Sequence, residues 1–218
     1  MVCNQQETPT MSNNILWRTL FPALVVLIFL ASGCVKQGAP LYYHTLSSPE
    51  QASVSSSGNS LPPILVGPVR IASFLDQEQL VRQRTSNSIS LIEQHRWAGN
   101  LSEMLSNALI TLLTQELSSE KIYSFPNTHN EGGLRLELDF LHFEEDQNRM
   151  ATLEARWRIL SEDDQAILHA ATSRYRIVPE TKDYDGLVQG LSQGLTRLSM
   201  EISTKILLLT SSTERDQS

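Results

Sequence analysis

Twelve apolar residues from Leu20 to Ala31 end three places short of a cysteine, Cys34, and this pairing constrains the chain more than any other feature. A membrane-crossing helix needs about 20 consecutive apolar residues, whereas the core of a secretory signal needs about 7–15. The run therefore reads as a leader removed during export. Arg18 is the only basic residue ahead of it. Translation from Met11 rather than Met1 would discard Cys3 and Glu7 and leave the leader net positive.

Leu30-Ala31-Ser32-Gly33-Cys34 resembles a bacterial lipobox, in which small residues precede a cysteine that is diacylated and becomes the new N-terminus. The usual pattern has leucine three places before the cysteine; here Ala31 stands there, with Leu30 one place further back. An ordinary signal peptide cut nearby would instead leave Cys34 as a free thiol. Lipidation is favoured because Cys34 falls where the apolar run stops and no later cysteine exists to pair with it. Each buried lipid methylene contributes ~0.8 kcal/mol, so two or more chains hold firmly where one would exchange. Val35, standing where an aspartate would retain a lipoprotein in the inner membrane, resembles an outer-membrane sorting signal. The domain plan that follows is a leader over 1–33, a lipidated tether over 34–40, a domain over 41–209 and a polar tail over 210–218. The tether reaches about 25 Å at full stretch.

Export would remove Arg18 and Glu7 together, so the formal charge stays at −7. That balance argues against a basic patch that grips nucleic acid. With two cysteines and no Cys-x-x-Cys or Cys/His cluster, a structural zinc site is excluded.

Within the domain, 41–46 reads as a brief strand and the Ser-rich 47–63 as a surface loop. Ile64–Ile71 is a strand candidate in which Pro68 calls for an edge or a bulge. Leu80–Arg84 and Ser88–Gln94 form a hairpin. Asn100 with Glu103 makes a capping box for a helix to about Ser118, and Ile122–Phe125 follows it. Alternating apolar and charged residues over 134–140 and 151–159, with a less regular run over 166–178, predict an antiparallel meander with one wet face. Asp183 opens a second helix whose apolar stripe runs from Tyr184 to Leu209. The fold class expected is α+β: two layers, a mainly antiparallel sheet with two amphipathic helices packed on it.

Chemistry is sparse. Gly190-Leu191-Ser192-Gln193-Gly194 matches the G-x-S-x-G string of serine hydrolases, but Ser192 lies inside a helical stripe and no histidine follows His169. No catalytic residue, metal ligand or cofactor site is assigned. Glu144-Glu145-Asp146 and Glu162-Asp163-Asp164 read as solvated turns some 30 Å apart at the ends of one strand, and His142 with Glu144 as a surface pair. Gly186, Gly190 and Gly194 share a helix face and call for a close backbone approach, either to the domain's own sheet or to a neighbouring subunit. Phe74-Leu75 either docks a partner or plugs the core. Ile206–Leu209 is a buried helix end or a partner patch.

Val66-Gly67-Pro68-Val69-Arg70-Ile71, Phe74-Leu75-Asp76, Gln79-Leu80-Val81 and Arg96-Trp97-Ala98 with Leu101 resemble, in order and spacing, the PqiC-type ABC-transport auxiliary lipoproteins. Tyr42-Tyr43, Ala155-Arg156-Trp157 and Tyr184 fit the same pattern. The chain departs at Ala72-Ser73, where a proline is common, and at Ala98-Gly99-Asn100. The resemblance implies a non-enzymatic lipoprotein on the periplasmic side of the outer membrane. Its partner would be an inner-membrane protein bearing MCE domains, in a system that moves lipids between membranes. Self-association into a ring is compatible with that role. A periplasm-facing lipoprotein that itself holds lipid, or assists envelope assembly, is the alternative.

Overall fold

The computed structural model describes residues 38–46, 61–127, 133–161, 163 and 165–216, with side chains to Ser212. The chain divides at Ala39/Pro40, and the unit from Pro40 onward is the folded domain. The leader, the lipobox and most of the Ser-rich loop lie outside the described residues.

Among the described residues, eight strands form one sheet: β1 Tyr42–His44, β2 Ile64–Ile71, β3 Gln79–Thr85, β4 Ser88–Trp97, β5 Ile122–Ser124, β6 Leu134–Glu145, β7 Ala151–Ser161 and β8 Ile167–Ile177. Helices α1 (Leu101–Leu117) and α2 (Tyr184–Asp216) pack on one face of it. The architecture is α+β, a mostly antiparallel open sheet with two helices on it.

The long ladders are antiparallel, because two-residue and short polar turns join neighbours directly: β3 to β4, β6 to β7, and β7 to β8. Shorter parallel pairings join strands far apart in sequence. β1 lies beside β4, β2 lies between β5 and β6, and β3 touches the end of β6 through Arg82 and Glu145. Strand β6 thus spans both halves of the sheet, with β7 along one side and β2 then β3 along the other. The wet face carries direct cross-strand ion pairs: Arg70–Asp139 at 2.6 Å, Arg158–Glu137 at 2.5 Å and Arg174–Glu154 at 2.8 Å. Each such pair contributes a few tenths of a kcal/mol.

The bulge expected at Pro68 is present. Register with β6 shifts between Val66 and Val69, and Gly67 sits at φ 132°, a conformation that side chains rarely adopt. Ile64 and Val66 face the core before the bulge, and Val69 and Ile71 pack against it after.

Helix α1 begins as its sequence says. Asn100 is the N-cap, and its side chain accepts from the Glu103 backbone N–H at 3.2 Å. It ends on Ser118 in the left-handed conformation, φ 47°. Asp183 plays the same opening part for α2, accepting from the Gly186 N–H at 2.9 Å. That helix continues past Leu209 to Asp216, so the polar tail is helical over most of its length. Between the layers, Trp157, Phe140 and Phe143 from the sheet meet Leu105, Leu109 and Leu198 from the helices, all essentially without exposure.

Candidate functional site

The residues singled out in the sequence separate once placed. Cys34 and the lipobox Leu30, Ala31, Ser32 and Gly33 lie outside the described residues. Leu75 is a core plug, 1% exposed, held in a short 3₁₀ turn over Ser73–Leu75. Phe74 beside it is half-buried, its ring 6.1 Å from that of His142, and still reaches the surface. The glycine stripe is a correction to the partner-contact reading. Gly190 and Gly194 face the domain's own sheet, and a Cβ at Gly190 would stand 2.8 Å from Ala151 Cβ and one at Gly194 3.4 Å from Leu153 Cβ. Gly186 turns inward under Thr181, whose carbonyl oxygen would be 2.4 Å from a Cβ. Gly190 and Gly194 let α2 settle onto β7 and β8, and all three glycines are turned into the domain rather than toward a neighbour.

Ser192 is mid-helix and buried, with no hydrogen-bond partner for its hydroxyl, and lacks the strand–turn–helix setting a nucleophile needs. Among the described residues no group of three or more histidine, cysteine or acidic side chains can hold a metal ion, and no helix is long and apolar enough to cross a membrane. Leu207 and Leu208 at the end of the α2 stripe are exposed, whereas Ile206 is buried.

The acidic run Glu144-Glu145-Asp146 overturns the solvated-turn expectation. Its members are only 2%, 4% and 6% exposed. Carboxylates tolerate such burial only when paired or hydrogen-bonded, and each is. Glu145 binds Arg82 and, at 2.8 Å, Arg149. Asp146 binds Arg176 and accepts backbone N–H groups of Asn148 (2.8 Å) and Met150 (3.0 Å). Burial opposes the ionised Asp146, but those donors together hold its carboxyl below the ordinary range. Glu144 accepts from His142 Nδ1 and the Phe143 N–H, both at 2.6 Å. Here burial dominates and pushes the carboxyl up.

From Glu145 the network continues across the sheet's end. Arg82 donates to Tyr184 Oη at 3.0 Å, and the Tyr184 ring lies 4.1 Å from that of His95. His95 Nδ1 shares a 2.9 Å hydrogen bond with His44 Nε2, and His44 Nδ1 stands 3.5 Å from Asp185 Oδ1. Tyr42 stacks on His95 from the outer side, 5.0 Å between centroids. Burial first and the neighbouring His95 second hold His44 below its ordinary value, with Asp185 opposing them. The first strand, the hairpin and the start of α2 are therefore tied together by polar contacts where no apolar residue could serve all three. Sequence reading missed this cluster because its members are spread from position 42 to 185. The one local signal was three acids in succession at the end of an alternating strand.

The sequence profile of ABC-type transport auxiliary lipoprotein components matches residues 44–203, which takes in all of this cluster but Tyr42, the whole of α1, and α2 as far as Ser203. The chain belongs to that family. The chain is also similar in fold to the protein XCC0632 from Xanthomonas campestris, at 17% identity over 83% of this chain and 100% of that one, TM-score 0.63. An uncharacterized protein of known crystal structure gives the same identity and score over 77% of this chain and 99% of its own. The PelC dodecamer from Paraburkholderia phytofirmans is more distant: 9% identity over 67% of this chain and 87% of that one, TM-score 0.43. No curated protein matches the sequence. That family is one of transport auxiliary components, not an enzyme family.

Proposed function

We propose that the chain is an outer-membrane lipoprotein subunit of an MCE-type intermembrane lipid transport system. Acyl chains on Cys34 hold the domain at the periplasmic side, where it docks the end of a conduit carried by an inner-membrane MCE protein. The observation that carries this reading is the family match over 44–203 following directly on a leader that ends at a lipobox cysteine. The closely packed interlayer core favours docking over lipid carriage, since an acyl carrier needs an apolar cavity between its layers. Phe74, half-buried yet reaching the surface, remains a candidate partner contact. Self-association into a ring would have to use a face other than the glycine stripe.

Crosslinking in intact cells, with the wild type and Cys34→Ala compared side by side, tests the proposal. The wild type should incorporate palmitate, fractionate with outer membrane and recover an MCE-domain protein. Cys34→Ala should lose all three. Equal labelling of the two forms, or recovery of assembly factors with no MCE protein, would reject it.

A further inference from the structure

Among the described residues the sheet ends in three edges, and they are not alike. β1 and β5 form two of them with three residues each. The third is β8, eleven residues paired with β7 on one side and with no described strand on the other. A long edge offers a row of open N–H and C=O groups, which proteins ordinarily blunt with proline, bulges or unpaired charges. From His169 to Ile177, β8 keeps one regular register with β7 and contains no proline. Its exposed arginines are already neutralised inside the domain, Arg174 by Glu154 at 2.8 Å and Arg176 by Asp146.

Helix α2 gives this edge a flank. It lies over the seam between β7 and β8: Gly190 faces Ala151 and Ile177, and Gly194 faces Leu153 and Tyr175. Further along, Tyr175 Oη donates to Glu201. Burial and then Lys205 hold His169 below its ordinary value, with Glu201 opposing them, so both charges lie near that ring. Glu201 is exposed, and Leu208 beyond it is 58% exposed.

We propose that β8 pairs antiparallel with β8 of a second copy about a two-fold axis at Thr172, extending the sheet across both domains and setting their α2 helices side by side. Charge selects the axis. A centre on Arg174 would set that residue against itself, and one on Tyr175 would set Arg174 against Arg176; like charges directly opposite are destabilising. Centred on Thr172, Arg174 faces Ala170, Ala171 faces Ser173 and His169 faces Tyr175. Lys205, near His169, then comes beside Glu201 of the second copy, near its Tyr175. A centre on Ser173 also separates the arginines, but it sets His169 against Ile177 and leaves Lys205 without that acid.

The helix spacing fits as well. α2 sits half a strand spacing inside β8 and the axis half a spacing outside it, which puts the two helices about 10 Å apart, the separation of packed helices. A foreign chain adding one bare strand would leave the α2 flank uncovered, whereas a second copy covers edge and flank together. The pairing rests on the sheet edge and is independent of the transport reading.

Sedimentation of residues 34–218 carrying Cys34→Ser, a chain with no acyl anchor and no cysteine, tests it. The chain should sediment as a dimer. Thr172→Lys, at an exposed position, should give a folded monomer by circular dichroism. Glu201→Lys and Lys205→Glu should each weaken the dimer about tenfold, through two pairs turned from attraction to repulsion, and the two together should recover it. Thr172→Cys should form a disulfide-linked dimer under mild oxidation. Should Thr172→Lys not fold, the charge reversals and the crosslink decide. A monomer at every concentration, an assembly indifferent to Thr172→Lys, reversals that do not compensate, or a Thr172→Cys chain that stays uncrosslinked would each overturn the proposal.

Discussion

Gly190 and Gly194 stand one helical turn apart on α2, both buried against the sheet, yet alanine should have opposite effects at the two positions. In either case replacing glycine recovers about 1 kcal/mol of helix propensity. At Gly194 the new methyl would meet Leu153 Cβ at 3.4 Å, close to ordinary contact. Gly194→Ala should therefore stabilise by about 0.5–1 kcal/mol. At Gly190 the methyl would meet Ala151 Cβ at 2.8 Å, a distance at which backbone must move because neither methyl can rotate away. Overpacking of this kind costs about 1–3 kcal/mol, so Gly190→Ala should be neutral to destabilising by about 2 kcal/mol. Urea unfolding of the mature chain reads the gap, which should be about 0.5–3 kcal/mol, up to several degrees in Tm for a domain of this size. Ala151→Gly placed in the Gly190→Ala background should restore much of the loss, giving a favourable coupling in a double-mutant cycle. Equal stabilisation by both alanines, with no coupling to Ala151, would refute the close approach of α2 to β7.

Ser173→Ala should cost about 1–3 kcal/mol in chemical denaturation, since it strips the buried Trp157 Nε1–H of its 3.0 Å acceptor; Trp157→Phe in the same background should show the two changes to be non-additive. Asn100→Ala should lose about 1 kcal/mol and fray the first turn of α1, visible as faster amide exchange at Glu103. The burial that raises the Glu144 carboxyl favours its protonated form in the fold. Wild-type stability relative to Glu144→Gln should then be greatest below pH about 4.5 and decline as the pH rises above it, measured by unfolding at matched ionic strength; a difference independent of pH would show that the buried group does not titrate differently on folding.

What the sequence made legible was local. Asn100 with Glu103 announced α1, and alternation of leucines with Arg135, Glu137 and Asp139 announced β6, because each signal and its structure lie within a few residues. The parallel pairings were not legible: His44 meets His95, and Arg82 meets Glu145, through contacts 51 and 63 residues apart. Glu144-Glu145-Asp146 misled for that reason. Three acids beside a turn look solvated until Arg82 and Arg176 arrive from elsewhere in the chain to join Arg149 of the turn at Glu145 and Asp146, while Glu144 is held by His142 and the Phe143 N–H. The glycine stripe correctly signalled a close approach, but its own spacing could not say which surface approached.

The bulge in β2 has a bearing on what evolution can change there. A strand presents its residues to alternate sides, so Ile64 and Val66 share a parity that Val69 and Ile71 do not. The extra residue at Gly67-Pro68 resets the phase, which is why both pairs can be apolar while Arg70 emerges on the opposite side to meet Asp139. Pairing these same residues without the bulge would invert everything after it, turning a guanidinium into the hydrophobic interior and two aliphatic groups out to water. The Gly-Pro dipeptide thus works as a phase marker, and substitutions along β2 are tolerable only in combinations that respect it.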